Sequence, residues 1–158
     1  QNRNSIQLFV ILNCRMTLRE RVLFICTGNA CRSQIAHGLL NDLASANFEV
    51  FSAGSHPSKV HPISIAVMEE IGIDISKHTS DHIDDYLNKD IDIVITVCDN
   101  SNNACPLFPE NTKRIHWSID DPFRNWNFEL NQLSTFRKTR EEIKLRLLKF
   151  IQANKIGK

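Results

Sequence analysis

The chain has 158 residues, enough for one domain with a core on both sides of a sheet. Its 19 Lys and Arg residues nearly balance its 18 Asp and Glu residues, which excludes recruitment of nucleic acid or a membrane surface by overall charge. The five cysteines are spaced neither as a disulfide scaffold nor as a zinc site, and this usage favours a reducing cytoplasm. No pattern indicates oligomerisation, so we expect a monomer.

Residues 1–20 precede the first predicted strand and match no targeting signal well. The apolar stretch 6–12 is too short to span a bilayer, contains Gln7, and is not followed by a small-residue cleavage site. We interpret residues 1–20 as an N-terminal extension outside the core and 21–158 as the domain. Cys14 is then a bystander thiol.

Strand and helix patterns alternate along the rest of the chain. Apolar runs predict strands at 21–26, 47–51, 91–97 and 113–117, while helical spacing of apolar residues predicts helices at 33–46, 62–72 and across 133–151. Such alternation indicates a parallel sheet with right-handed crossovers.

The segment between the first strand and the first helix is the most informative, because Cys26 is followed after five residues by Arg32. A loop in this place directs backbone N–H groups and a helix N-terminus at a tetrahedral dianion. Gly28 brings no Cβ near the ligand and tolerates positive φ, as Asn29 also does. Arg32 can bind two oxygens of the anion, and the positive field favours the thiolate of Cys26. The predicted anion-binding residues are Thr27, Gly28, Asn29, Ala30, Cys31, Arg32 and Ser33.

Further reactive side chains follow other predicted strands. Cys98 ends the third strand, and Asp121 follows the fourth. In open parallel sheets ligands bind beyond the carboxyl ends of the strands, so we expect both near Cys26. Cys31 is interpreted as a structural residue. These residues alone leave hydrolysis and reduction open.

The sequence resembles the thioredoxin-coupled arsenate reductases, which share their fold with the low-molecular-weight protein tyrosine phosphatases. The resemblance covers about residues 21–153 and rests on the segments 26–34, 51–54, 73–81, 97–99, 103–106, 116–117 and 120–122. The loop motif fits both families, whereas the pair Cys98 and Cys105 indicates the reductases. The resemblance implies an α/β three-layer sandwich with a four-stranded parallel sheet in the order 2-1-3-4.

The resemblance also implies reduction of arsenate to arsenite, for arsenic detoxification, with no bound cofactor. Cys26 attacks arsenate while Asp121 acts as general acid, and Ser33 donates a hydrogen bond to the Cys26 sulfur. Cys98 then attacks the adduct, which releases arsenite and leaves a Cys26–Cys98 disulfide. Cys105 attacks Cys98 in turn, and reduced thioredoxin opens the Cys98–Cys105 disulfide.

Two other functions stay open. A phosphomonoesterase of the low-molecular-weight tyrosine phosphatase type would use Cys26, Arg32 and Asp121 alone. Such phosphatases have tyrosines after the Asp-Pro pair, whereas the stretch 123–126 is Phe-Arg-Asn-Trp, which disfavours specialised aryl recognition; Trp126 is interpreted as a packing residue. A thiol-based redox or arsenic-responsive binding module would leave Arg32 and Asp121 without a role.

One departure from the family concerns a structural potassium ion. In reductases that bind it, the site resembles Asn29, Ser52, Asp81 and a carboxylate at the position of His37. An imidazole is a poor ligand for a hard cation that prefers oxygen. We therefore predict a degenerate potassium site without bound metal, in which His37 bonds Asp81 or Ser52.

Overall fold

The computed structural model describes residues 18–98 and 108–156. Its sheet has four strands, β1 (Glu20–Cys26), β2 (Phe48–Gly54), β3 (Ile93–Thr96) and β4 (Lys113–His116). All neighbouring pairs are parallel and the order is β2-β1-β3-β4, which confirms the predicted topology. The predictions for Cys14 and Cys105 lie outside the described residues.

Several strand boundaries differ from the predicted ones, and the differences in β1 and β2 are the ones that bear on the site. β1 begins at Glu20, which pairs with Phe48 and lies one residue before the predicted start of the domain. β2 extends to Gly54 instead of ending at residue 51, because its last three residues pair with Phe24, Ile25 and Cys26. The small residues of this segment resemble a turn, but they lie where β2 approaches the loop that follows β1.

In the described residues, three α-helices cover one face of the sheet: α1 (Arg32–Ala44), α2 (Pro62–Glu69) and α3 (Leu133–Ile156). α1 packs on β1 and β2, and α3 packs on α1 and α2. The core on this face combines alternate residues of β1 with apolar residues of all three helices, among them Val22, Phe24, Ile35, Leu39, Ile63, Phe136 and Leu147. Within the described part of the chain, no helix is long and apolar enough to cross a membrane.

The opposite face of the sheet has its own core. Leu23 and Ile25 of β1 pack there with Val94 of β3, against residues of the 3-10 turn Ile83–Tyr86 and against Phe108. Since successive side chains of a strand point to opposite faces and both sets are buried, β1 is a central strand covered on both sides. Its carboxyl end therefore delivers Cys26 to a site that both layers hold in place.

Helix α2 ends through a left-handed glycine. Gly72 has φ +79°, its N–H donates to the Glu69 carbonyl (2.9 Å), and the Ile73 N–H donates to the Met68 carbonyl (3.0 Å). This arrangement satisfies the last carbonyls of the helix. Gly72 marks the end that the sequence predicts, and the helix itself stops three residues earlier.

Helix α2 is joined to α3 by two arginines. Arg140 Nη1 donates to the Val67 carbonyl (2.6 Å) and to Glu70 Oε1 (3.0 Å), and Arg137 Nη2 lies 2.6 Å from Glu70 Oε2. Hydrogen bonds from Arg137 are the main cause that lowers the pKa of Glu70.

Candidate active site

The loop between β1 and α1 has its carbonyl groups turned outward. Five consecutive carbonyls accept hydrogen bonds from groups that lie beyond residues 27–31: Thr27 from His56 N (2.8 Å), Gly28 from Ser58 N (3.2 Å), Asn29 from Ser80 Oγ (3.1 Å), Ala30 from His61 N (3.0 Å) and Cys31 from Ile35 N (2.9 Å). In a trans peptide the N–H points opposite to the C=O, so the N–H groups of residues 28–32 point inward. α1 begins at Arg32 without a side-chain cap at Cys31. The loop therefore presents a concave set of donors to an anion.

The left-handed residue of the loop is Asn29, with φ 47°, whereas Gly28 does not adopt positive φ. The expectation that Asn29 tolerates this conformation fits the structure, whereas the tolerance expected of Gly28 is not used. The glycine that the loop requires is Gly54 of β2. A Cβ there would lie 2.5 Å from the Thr27 carbonyl oxygen and 2.9 Å from the Asn29 nitrogen.

A directed chain of hydrogen bonds ends on the Cys26 sulfur. The Asp81 N–H donates to Asn29 Oδ1 (2.9 Å), which assigns Nδ2 as the donor to Ser33 Oγ (2.8 Å). Ser33 Oγ lies 2.9 Å from Cys26 Sγ and has its hydroxyl hydrogen left to donate. A donor aimed at sulfur stabilises the thiolate, which is the nucleophilic form.

The loop forms the floor of a cavity of about 260 Å³. Its lining includes the thiol of Cys26, the guanidinium of Arg32 and the carboxylate of Asp121, which the sequence singles out. The other lining residues are Thr27, Gly28, Ala30, Cys31, Ser58, Phe123 and Trp126. Of the residues predicted to bind the anion, Asn29 and Ser33 are fully buried behind this lining. They support the loop through their side chains.

Arg32 and Asp121 meet across the cavity. Arg32 Nη2 lies 3.1 Å from Asp121 Oδ2, and Arg32 Nη1 donates to the Ile119 carbonyl (2.9 Å). The guanidinium is almost fully buried, while the Asp121 side chain is 44% exposed. Asp121 Oδ1 accepts from the Phe123 N–H (3.0 Å). The carboxyl group thus stands beside the cation that would bind the anion, within reach of its oxygens.

The three described cysteines have different surroundings, and none forms a disulfide with another described residue. Burial is the main cause that raises the pKa of Cys31 to about 12, which suits the predicted structural role. Cys98 is buried, belongs to the same core as Cys26, and follows the last β1–β3 pair, Ile25–Thr96, by two residues. It does not line the cavity that contains Cys26.

Residues of the predicted degenerate potassium site contact one another or neighbouring residues through their side chains. His37 Nδ1 lies 2.9 Å from Ser52 Oγ, the second of its two expected partners, and Tyr86 donates to Asp81 Oδ2 (2.7 Å). The His37 ring stacks on His78 at 4.3 Å, and burial is the main cause that lowers the pKa of His37 to about 3. An uncharged imidazole therefore stands at the position where the resemblance to potassium-binding reductases implies a carboxylate. Within the described ranges, no group of three or more His, Cys, Asp or Glu side chains could hold a metal ion.

Some residues of the site are not apparent from local sequence patterns. Gln34 Nε2 bridges the carbonyls of Asn29 (3.1 Å) and Thr79 (2.9 Å), so it ties the loop to a distant segment. Trp126, interpreted from sequence as a packing residue, lines the cavity together with Phe123. The signal for these aromatics is their position just after Asp121-Pro122, at the sheet edge that carries the site.

A thiol at the base of a loop with inward N–H groups, with an arginine and a carboxyl group beside it, is the arrangement expected of a phosphatase-like enzyme. A model of the family described as low molecular weight phosphotyrosine protein phosphatase matches residues 21–158, and the chain belongs to this family.

The relatives of the chain include arsenate reductases. An arsenate reductase of Staphylococcus aureus (strain N315) is 43% identical over 133 residues, which cover 84% of this chain and 96% of the relative. A solved structure of an arsenate reductase in the phosphate binding state has a TM-score of 0.73 and 37% identity, covering 85% of this chain and 98% of that one. The thioredoxin-dependent arsenate reductase of Corynebacterium glutamicum has a TM-score of 0.72 and 26% identity, covering 98% of this chain and 72% of that one.

Proposed function

We propose that this protein reduces arsenate to arsenite by a relay of three thiols and takes its electrons from thioredoxin. The observation that carries the proposal is the cavity that joins Cys26, the inward N–H groups of the loop, Arg32 and Asp121. The similarity to arsenate reductases supports arsenate as the oxyanion. The thioredoxin dependence of one neighbour supports the source of electrons.

The first step forms a sulfur–arsenic bond. Loop N–H groups and Arg32 hold the arsenate, and the Cys26 thiolate attacks arsenic while one oxygen leaves. The leaving oxygen is the hydroxyl of the hydrogen arsenate dianion, and Asp121 gives it one further proton, so that water departs and Asp121 becomes a carboxylate. The anion takes over the guanidinium that Asp121 contacts in its absence, and the carboxyl group then stands beside the leaving hydroxyl.

The second step transfers the electrons. Cys98 attacks the Cys26 sulfur, and the electron pair of the sulfur–arsenic bond passes to arsenic, which leaves as arsenite. Neighbouring parallel strands are about 4.8 Å apart, and an offset of one residue adds about 3.3 Å along the strand, which corresponds to about 6 Å between Cα atoms. Disulfides require less than about 7 Å. Cys98 lies one residue beyond the position that continues the β1–β3 register opposite Cys26, so its place in the fold supports this bond.

The last steps restore the nucleophile. Cys105 attacks the Cys98 sulfur, releases the Cys26 thiolate and leaves a Cys98–Cys105 disulfide. The dithiol of thioredoxin then reduces this disulfide by exchange. The protein binds no cofactor in this scheme, acts as a monomer and works in the reducing cytoplasm, where thioredoxin is kept reduced.

The test is turnover of arsenate with thioredoxin, thioredoxin reductase and NADPH. We expect the wild type to turn over many times and Cys105→Ser to release about one arsenite per protein, since it stops at the Cys26–Cys98 disulfide. Cys98→Ser should release none. Cys14→Ser is the control, because it removes a thiol that the relay does not use. Full multiple turnover by both Cys98→Ser and Cys105→Ser would contradict the relay.

A second candidate function, hydrolysis of phosphomonoesters, has one observation in its favour. Phe123 and Trp126 line the cavity with their rings 5.1 Å apart, and these aromatic groups can contact an aryl substrate without the tyrosines of the phosphatases. Hydrolysis of p-nitrophenyl phosphate tests it. We expect slow turnover that survives Cys98→Ser and is lost in Cys26→Ser; wild-type hydrolysis that outpaces arsenate reduction would favour the phosphatase function.

A further inference from the structure

His61 is a fully buried histidine with both ring nitrogens engaged. Nδ1 lies 3.0 Å from the Ile63 nitrogen and caps α2, and Nε2 lies 2.7 Å from the Asn125 carbonyl oxygen. A backbone N–H can only donate and a carbonyl can only accept, so Nδ1 carries no hydrogen and accepts, whereas Nε2 carries the hydrogen and donates. The ring is thus a neutral imidazole in one assigned tautomer, and it joins two segments that are 64 residues apart.

The same residue contacts both sides of the candidate active site. Its main-chain N–H donates to the Ala30 carbonyl, one of the five that are turned outward in the loop. Its ring stacks on Trp126 (5.4 Å between ring centres, 19° between planes) and meets the Phe123 ring edge-on at 5.7 Å. Both aromatic side chains line the cavity. His61 itself does not line the cavity, so it acts only through these neighbours.

Asp121 is carried by a segment without helix or strand, residues 117–129. Arg32 Nη1 reaches its main chain at Ile119, before the carboxyl group, and His61 Nε2 reaches it at Asn125, after the carboxyl group. An irregular segment keeps its place through such anchors. The first anchor belongs to the anion-binding arginine, and the second depends on His61.

We propose that His61 is a positioning residue, which fixes the Asp121 segment against the anion-binding loop and thereby sets the place of the general acid. The inference rests on the proposed function for the role of Asp121 as acid. It gives the imidazole a task that a capping residue alone does not have, because capping requires only the acceptor at Nδ1.

Two substitutions separate the tasks of the imidazole. In His61→Asn, the amide oxygen keeps the cap on Ile63 but the side chain is too short to reach Asn125. In His61→Gln, the amide nitrogen reaches toward Asn125 in place of Nε2 and the cap is weakened. The matched control is His82→Asn: His82 Nδ1 also accepts from a backbone N–H two residues on (Asp84, 3.1 Å), and His82 does not line the cavity.

The kinetic test is a double-mutant cycle on kcat/KM for arsenate with Asp121→Asn. We expect His61→Asn to lower kcat at least about tenfold with little change in KM, and His61→Gln to recover part of this loss. In the Asp121→Asn background, His61→Asn should lower kcat/KM by less than about twofold, because the acid that His61 positions is already absent. Equal losses in both backgrounds would overturn the proposal.

A second readout does not need activity. Amide hydrogen exchange of residues 119–126 should be faster in His61→Asn than in the wild type and in His82→Asn, and unchanged exchange overturns the positioning role. Failure of the proposed function is distinguished by other results. A wild type that does not reduce arsenate, or an Asp121→Asn variant with full activity, contradicts the proposed reaction, and the proposed role in setting the acid falls with it.

Discussion

Replacement of Gly54 by alanine tests how closely β2 supports the anion-binding loop. The added Cβ would lie 2.5 Å from the Thr27 carbonyl oxygen, 2.9 Å from the Asn29 nitrogen and 3.1 Å from the Cys26 carbonyl oxygen. All three are backbone atoms, so no side chain can rotate away. The loop must then move by up to about 1 Å to restore ordinary contact distances.

The cost follows from this overlap. Overpacking of a rigid contact costs about 1 to 3 kcal/mol. In a chain of this length each kcal/mol lowers Tm by about 2 to 4 °C, so we expect Gly54→Ala to lose about 2 to 12 °C. A shift of the inward N–H groups by about 1 Å is expected to lower kcat/KM for arsenate about 100-fold.

The assay combines thermal unfolding with steady-state arsenate reduction. Gly28→Ala is the matched control, because the nearest atom to its added Cβ is Ser58 Oγ at 3.7 Å, an ordinary contact. Its Tm should stay within about 2 °C of the wild type. If Gly54→Ala keeps both the Tm and the kcat/KM of the wild type, β2 does not fix the loop as we conclude.

Three further predictions concern charge and titration. The Cys31 thiol, with a pKa of about 12, is only about one part in 10⁴ thiolate at pH 8. Iodoacetamide should therefore alkylate Cys26 and spare Cys31 in the folded protein. Equal labelling of the two cysteines, measured by mass mapping, would contradict the burial argument. The Tm of the wild type should be the same in potassium and sodium salts, and His37→Glu should gain a potassium-specific rise of a few degrees; a large rise in the wild type would show an intact potassium site. The lowered pKa of Glu70 gives a stability contribution that is present above the ordinary carboxyl pKa of 4.5 and is lost as the pH falls through the folded pKa. Glu70→Gln should therefore have a lower Tm than the wild type at pH 7. Thermal melts should show this gap shrinking as the pH falls below 4.5 and closing once the pH is below the lowered folded pKa; a constant gap would refute the assignment.

The fold was predictable where one segment carries its own signal. The apolar run before Cys26, the loop and the helical spacing after Arg32 are contiguous, so β1, the loop and α1 follow from local patterns. The end of β2 was not predictable in this way. Its last three residues are buried because they pair with β1, and pairing with a distant strand overrides their turn-like composition.

The residues of the candidate site fall into the same two groups, those with a local sequence signal and those that depend on distant partners. Cys26 and Arg32 belong to one motif, and the rule for parallel sheets brings Asp121 to the same edge. The need for a glycine at residue 54 comes from the neighbouring strand, because an added Cβ there would lie 2.5 Å from the Thr27 carbonyl oxygen of the loop. The role of His61 depends on partners at residues 30 and 125, and no spacing within the sequence links them.

The outward hydrogen bonds of the loop carbonyls have a consequence for selectivity. Because groups of other segments already hold these carbonyls, the ring of N–H donors is assembled during folding and is rigid before an anion arrives. Arsenate and phosphate are tetrahedral dianions of similar size, so a rigid ring binds both. Discrimination in the proposed reaction then falls to the step after capture: arsenic in a Cys26 adduct accepts two electrons, whereas phosphorus accepts none. Phosphate is accordingly expected to compete with arsenate for the loop, and a phosphate-rich medium should slow the enzyme without changing its product.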